Sequence, residues 1–196
     1  LDVLRRSPHL EAFKEKGVEV LFLTDPVDEV WVGQGPVSFK DKPLKSIGHG
    51  EVELGSEEDK EKAKEALEKE QESYSDLLQA MRSAIQDEVK EIRLSSRLKS
   101  SPSCLVLDEG DLSPQLEAML RQAGQEIPER KPILELNPSH VILERLGKRF
   151  EASPTDPKIA ESAKLLLGQA ILAGGTELED PAAFAELVQK LMVESL

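Results

Sequence analysis

Along the chain, apolar residues alternate between helical and strand spacing, with turn signals between the runs. Ser7 and Pro8 open a short helix with Leu10 and Phe13 on one face, ended by Lys14, Lys16 and Gly17. The run VEVLFLTD, residues 18–25, reads as a buried strand. Asp25 as cap and Pro26 in first position then predict a helical turn through DPVDEVW. Residues 33–55 carry Gly33, Gly35, Pro36, Gly48, Gly50 and Gly55, and read as a connection with one short strand near Leu44 to Ile47.

A long helix is predicted from Ser56, where Ser56 and Asp59 stand in capping-box spacing. Its first half is polar, with Glu58–Lys62 and Glu65–Lys69 as i,i+4 pairs. Its second half carries the stripe Tyr74, Leu77, Leu78, Met81, Ile85 and Val89. Only that second half can be anchored in a core, so the first half reads as an arm and the domain boundary falls near residue 55, giving units 1–55 and 56–196. KEIRLSS and SCLVLD predict two strands paired antiparallel, KPILELNP predicts a third, and Asn137 with Pro138 starts a helix to about Ala152. The fold class is α+β.

Three apolar faces need a destination. Between the second and third strands, Leu112, Leu116, Met119 and Leu120 follow i, i+4, i+7, i+8. Left in water, four such side chains forfeit about 6–12 kcal/mol, which rivals the stability of a whole domain at about 5–15 kcal/mol. Periodicity therefore favours the core for this helix. The last two helices present Ile159, Ala163, Leu166, Leu167, Ala170 and Ile171, then, after Gly174 and Gly175, Phe184, Leu187, Val188, Leu191 and Met192. Such a hairpin is half of a four-helix bundle, which a two-fold homodimer completes; the other destination is the chain's own sheet.

Composition narrows the function classes. At 196 residues, with 39% hydrophobic and 32% charged positions, the chain is neither disordered nor a membrane span. The net charge of −13, with Lys and Arg dispersed among acids, argues against nucleic acid as the partner. One cysteine, Cys104, excludes an internal disulfide and suits a reducing compartment such as the cytoplasm. The start LDVLRRSPHLEAF has no initiator Met and falls in mid-pattern, so the sequence reads as a piece of a longer protein.

Little points to catalysis. His9, His49 and His140 are scattered, one Cys builds no zinc site, and Gly33 with Gly35 lacks the remainder of any phosphate loop. Asp25, Asp28 and Glu29 offer oxygen ligands to a divalent metal, so a metal-dependent enzyme is one alternative. A capped helix start with an acidic first turn explains them more simply.

Four landmarks in order carry a family resemblance: DPVDE at 25–29, SSRLKSSPSCLV at 95–106, ELNPSH at 135–140 and LEDP at 178–181. The sequence resembles the heat-shock protein 90 chaperones, in their bacterial form, since no acidic Met-Glu-Glu-Val-Asp ending follows Leu196. The resemblance spans the chain: residues 1–55 match the small α/β end of the middle domain, and 56–196 the C-terminal dimerisation domain. It implies a three-stranded antiparallel sheet with helices and a dimeric four-helix bundle. It also implies a stress-response parent that uses ATP to remodel nonnative client proteins, with cochaperones. The ATP and Mg site would lie in an N-terminal domain, so this stretch is expected to hold no cofactor and not to be an enzyme by itself. Leu112, Leu116, Met119 and Leu120, with Trp31, would then face clients across the cleft. A purely structural dimerisation module, with the 112–120 stripe buried, is the competing reading.

Overall fold

A computed structural model describes residues 2–33, 37–51, 54–126, 128 and 130–196. The chain opens with helix α1 (Asp2–Arg5), a single 3-10 turn over Pro8–Leu10 and helix α2 (Glu11–Glu15). Ser7 caps that turn by accepting from the His9 N–H, and Pro8, Leu10 and Ala12 are buried. Residues 18–24 form no strand, contrary to the sequence expectation. None of the strands among the described residues runs beside them, so their N–H and C=O groups have no ladder to join. Leu21, Phe22 and Leu23 consequently lie exposed. Helix α3 (Pro26–Gly33) follows, then strands β1 (Ser38–Phe39) and β2 (Lys42–Pro43), paired antiparallel. Lys40 and Asp41 both adopt positive φ, the backbone of a tight two-residue hairpin. The short strands thus sit at this turn, while residues 44–47 are outside any strand.

Helix α4 (Glu57–Ser73) begins at the capping box of Ser56 and Asp59 and buries no residue. The predicted single long helix breaks at Tyr74, and α5 (Ser75–Ala84) starts afresh. At the break the Ser73 hydroxyl donates to the Glu70 carbonyl at 2.7 Å, a local bond that competes with the helix ladder. The Tyr74 ring meanwhile sits over Gly147, where a Cβ would come within 3.0 Å of Cε1. The break turns Leu77, Leu78 and Met81 into the core. Ile85 and Val89 are buried too, but in the turn after the helix.

The remaining elements are β3 (Glu91–Leu94), β4 (Ser103–Val106), α6 (Pro114–Gln122), β5 (Ile133–Leu136), α7 (Val141–Ala152), α8 (Pro157–Ala173) and α9 (Pro181–Ser195). The three-stranded sheet has the order β3-β5-β4, with β3 parallel and β4 antiparallel to β5. The expected all-antiparallel sheet and the direct pairing of 91–94 with 103–106 are therefore corrected. The eight residues 95–102 are no tight hairpin but an arch over the end of β5: Ser95 N–H donates to Leu136 O at 2.8 Å, and Asn137 N–H to Pro102 O at 2.9 Å. All four β5 residues are buried, which requires cover on both sides and makes β5 the centre. One face of the sheet packs against α5, α7 and α8; Leu98, Cys104, Val106 and Ile133 form a smaller cluster. The architecture is α+β. Among the described residues no helix is long and apolar enough to cross a membrane.

Candidate functional site

Ser113 caps α6 by accepting from the Leu116 N–H at 3.1 Å, with Pro114 in the first turn, as its sequence requires. The stripe on this helix takes an intermediate position. Leu112, Leu116 and Leu120 are half-buried and Met119 is 39% exposed. Helix α3 packs against α6 and brings Trp31, 48% exposed, to the same region with exposed Val27 and Val30. Two short helices far apart in sequence thus pack together and each leaves apolar side chains exposed. Of the five expected client-facing residues, Trp31 lies on α3, Leu116, Met119 and Leu120 lie on α6, and Leu112 precedes α6.

The C-terminal hairpin divides differently. Ile159, Ala163, Leu166, Leu167 and Ala170 are buried in this chain's own core, and Ile171 packs against it. These α8 side chains face inward because α8 covers the sheet beside β4 and α5: the Ser103 hydroxyl donates to the Leu166 carbonyl at 2.8 Å. Helix α9 rests on α8, and its Phe184, Leu187 and Val188 are half-buried. Gly168 allows this approach, since any Cβ there would meet the Phe184 ring. Lys158 and Glu161 on α8 pair with Glu194 and Lys190 on α9 and lock the register. Leu172, Leu191, Met192 and Val193 remain exposed, so the hairpin offers an outer apolar face carried mainly by α9.

A buried charged cluster at the sheet was not anticipated from the sequence. Arg97 is fully buried; its Nε donates to Glu135 Oε2 at 2.8 Å, and its two Nη groups donate to the Ile47 and Gly50 carbonyls. Glu135 also accepts from Arg93 at 2.8 Å and from the Ser95 hydroxyl at 2.7 Å. The signal was a carboxylate in the middle of ILEL, which a fully buried strand tolerates only with a buried partner. His9 lies near this cluster with Nδ1 buried and unpartnered. Burial, then the Arg97 charge, pushes its pKa down to about 4. Cys104 has its thiol pKa pushed up by burial and by Glu135, which leaves it protonated and inert.

Asp28 accepts from the Asp25 N–H at 3.0 Å, a helix-start contact rather than a ligand geometry. Among the described residues, no three His, Cys, Asp or Glu side chains are placed to hold a metal ion; the Glu29 side chain lies outside them. His140 caps α7 through Nδ1, accepting from Ile142 N–H at 3.2 Å.

Compared with known proteins, the chain matches the family model described as Hsp90 protein over residues 1–196. It is 50% identical over 195 residues to the chaperone protein HtpG of Mycobacterium tuberculosis strain H37Rv, covering 98% of this chain and 30% of that protein. The HtpG proteins of Mycobacterium avium strain 104 and Rhodococcus jostii strain RHA1 are 48% identical over 191 residues and 46% identical over 194. The coverage is 97% of this chain and 29% of the first, and 99% and 30% for the second. The chain spans about three-tenths of the length of these relatives.

Proposed function

Because this chain belongs to the Hsp90 protein family, we propose that it is the dimerising and client-binding portion of an ATP-driven chaperone of nonnative proteins. ATP and magnesium are assigned to parts of the parent outside this chain, which itself acts without a cofactor, in the cytoplasm. The observation that carries the reading is that α3 and α6 pack together while Val27, Val30, Trp31 and Met119 on them stay exposed. Weak contacts through Met119, Trp31 and the outer edges of Leu112, Leu116 and Leu120 would cover a client's own apolar side chains and still permit release. Two such surfaces in a dimer raise the effective concentration of the second contact.

The half-burial of Leu112, Leu116 and Leu120 favours the competing reading, a structural module, and one experiment separates the two. Met119→Ser combined with Trp31→Ser should weaken suppression of aggregation of an unfolded test protein several-fold while the thermal melt stays within a few degrees. Loss of the fold with no separate effect on aggregation would favour the structural reading.

Dimerisation is assigned to the outer face of the hairpin. Burying Leu191, Met192 and Val193 contributes about 1.5–3 kcal/mol per side chain, counted twice at a two-fold interface. Leu191→Asp with Met192→Asp should therefore give monomers in sedimentation velocity. A dimer that survives both changes would move the interface elsewhere.

A further inference from the structure

Three consecutive backbone N–H groups, those of Lys99, Ser100 and Ser101, all point at one carboxylate, that of Glu11 on α2. The distances are 2.5 Å from Lys99 N, 2.8 Å from Ser100 N and 3.1 Å from Ser101 N. The hydroxyls of Ser100 and Ser101 donate to the same group at 2.9 and 2.6 Å. Five donors on one carboxylate, from residues almost 90 positions away, make a concave anion nest. Partial burial pushes the Glu11 carboxyl up, but the Ser101 hydroxyl and the N–H groups of Lys99 and Ser100 outweigh it, holding its pKa at about 2.

The nest is held from behind by contacts that do not involve Glu11. The Ser95 hydroxyl accepts from the N–H groups of Arg97 and Leu98 at 3.2 and 3.3 Å. Asn137, itself buried, donates from Nδ2 to the Ser101 carbonyl at 3.0 Å. The arch is therefore shaped by the sheet end and the Arg97–Glu135 cluster. Glu11 arrives as a ligand would, on a separate helix. Beside it, the Ala12 N–H donates to the Arg97 carbonyl at 3.1 Å, and Glu15 pairs with Lys99 at 3.0 Å.

We propose that the 99–101 loop is a preformed binding site for a carboxylate-type oxyanion, which this chain fills with its own Glu11 to clasp residues 8–15 onto the sheet. The site selects by charge and by the number of acceptor oxygens, since each of its five donors needs a lone pair and its three backbone N–H groups can only donate.

Formate is the probe, read by amide hydrogen exchange in the intact chain. In Glu11→Ala, exchange at Lys99, Ser100 and Ser101 should rise by about tenfold or more, the loss expected for hydrogen bonds to a charged group. The β5 amides should change far less. Formate should restore protection in Glu11→Ala and leave the unsubstituted protein unchanged. Unaltered exchange at 99–101, or lost protection that formate does not restore, would overturn the proposal. If Glu11→Ala also loosens β5, the neutral isostere Glu11→Gln decides. It must still expose 99–101 more than β5, and equal exposure of both counts against the site.

Discussion

Replacing Arg97 with Met should destabilise the protein by about 3–5 kcal/mol, the usual consequence of removing one partner from a buried ion pair. Arg97 is fully buried and Glu135 is 2% exposed, so solvent cannot replace the lost bonds. Arg93 still reaches Glu135, which keeps the carboxylate partly compensated. The Ile47 and Gly50 carbonyls gain no such substitute from the Met thioether. The loss should therefore appear twice: as a lower midpoint in urea unfolding followed by circular dichroism, and as earlier proteolysis of residues 44–51. A change below about 1 kcal/mol would show that the cluster is solvated in solution and sets no part of the fold.

Acidification supplies the second large effect. In the unfolded chain His9 takes up a proton near its ordinary pKa of 6.5, whereas in the fold its pKa is lowered to about 4, chiefly by burial and then by Arg97. Between those values the unfolded state binds more protons, so stability rises with pH across this window. The contribution is complete above pH 6.5 and is progressively lost on descending to about pH 4, amounting to about 3 kcal/mol. Glu135 and the Leu105 backbone act in the opposite direction, and His49 adds to the lowering. His9→Gln should flatten the stability curve between pH 6.5 and 4 relative to the unsubstituted protein, measured by urea titration at each pH. Parallel curves for the two proteins would mean that water reaches Nδ1 and relieves the penalty.

Both effects come from residues whose burial no periodicity reveals. Arg97 sits in SSRLKSS, which reads as a polar turn, and its partner lies 38 positions later. The same limit explains the strand errors. A strand's neighbours are chosen by long-range ladders, so the apolar run 18–23 looked like a core strand although no partner strand lies beside it among the described residues. The α6 stripe illustrates the reverse case. Its spacing located the helix, but not that it would pack against α3, some 85 positions earlier, with its stripe only half-buried.

Taken alone, the sequence determined what is local: the capping box at Ser56 and Asp59, the Ser113 and Asp180 caps, the proline-initiated α6, α8 and α9, and the apolar faces of α5 and α8. Each follows from groups within one or two helical turns, where backbone hydrogen bonds and side-chain spacing suffice. Its four family landmarks also pointed to the Hsp90 proteins, as the family match shows. Tertiary structure alone decided that β5 is central and paired in both directions, that the inner face of α8 belongs to this chain's core, and that Arg97 and Glu11 clasp segments distant in sequence. These outcomes depend on which surfaces meet, and that is fixed by the joint burial of apolar area and the pairing of every buried polar group.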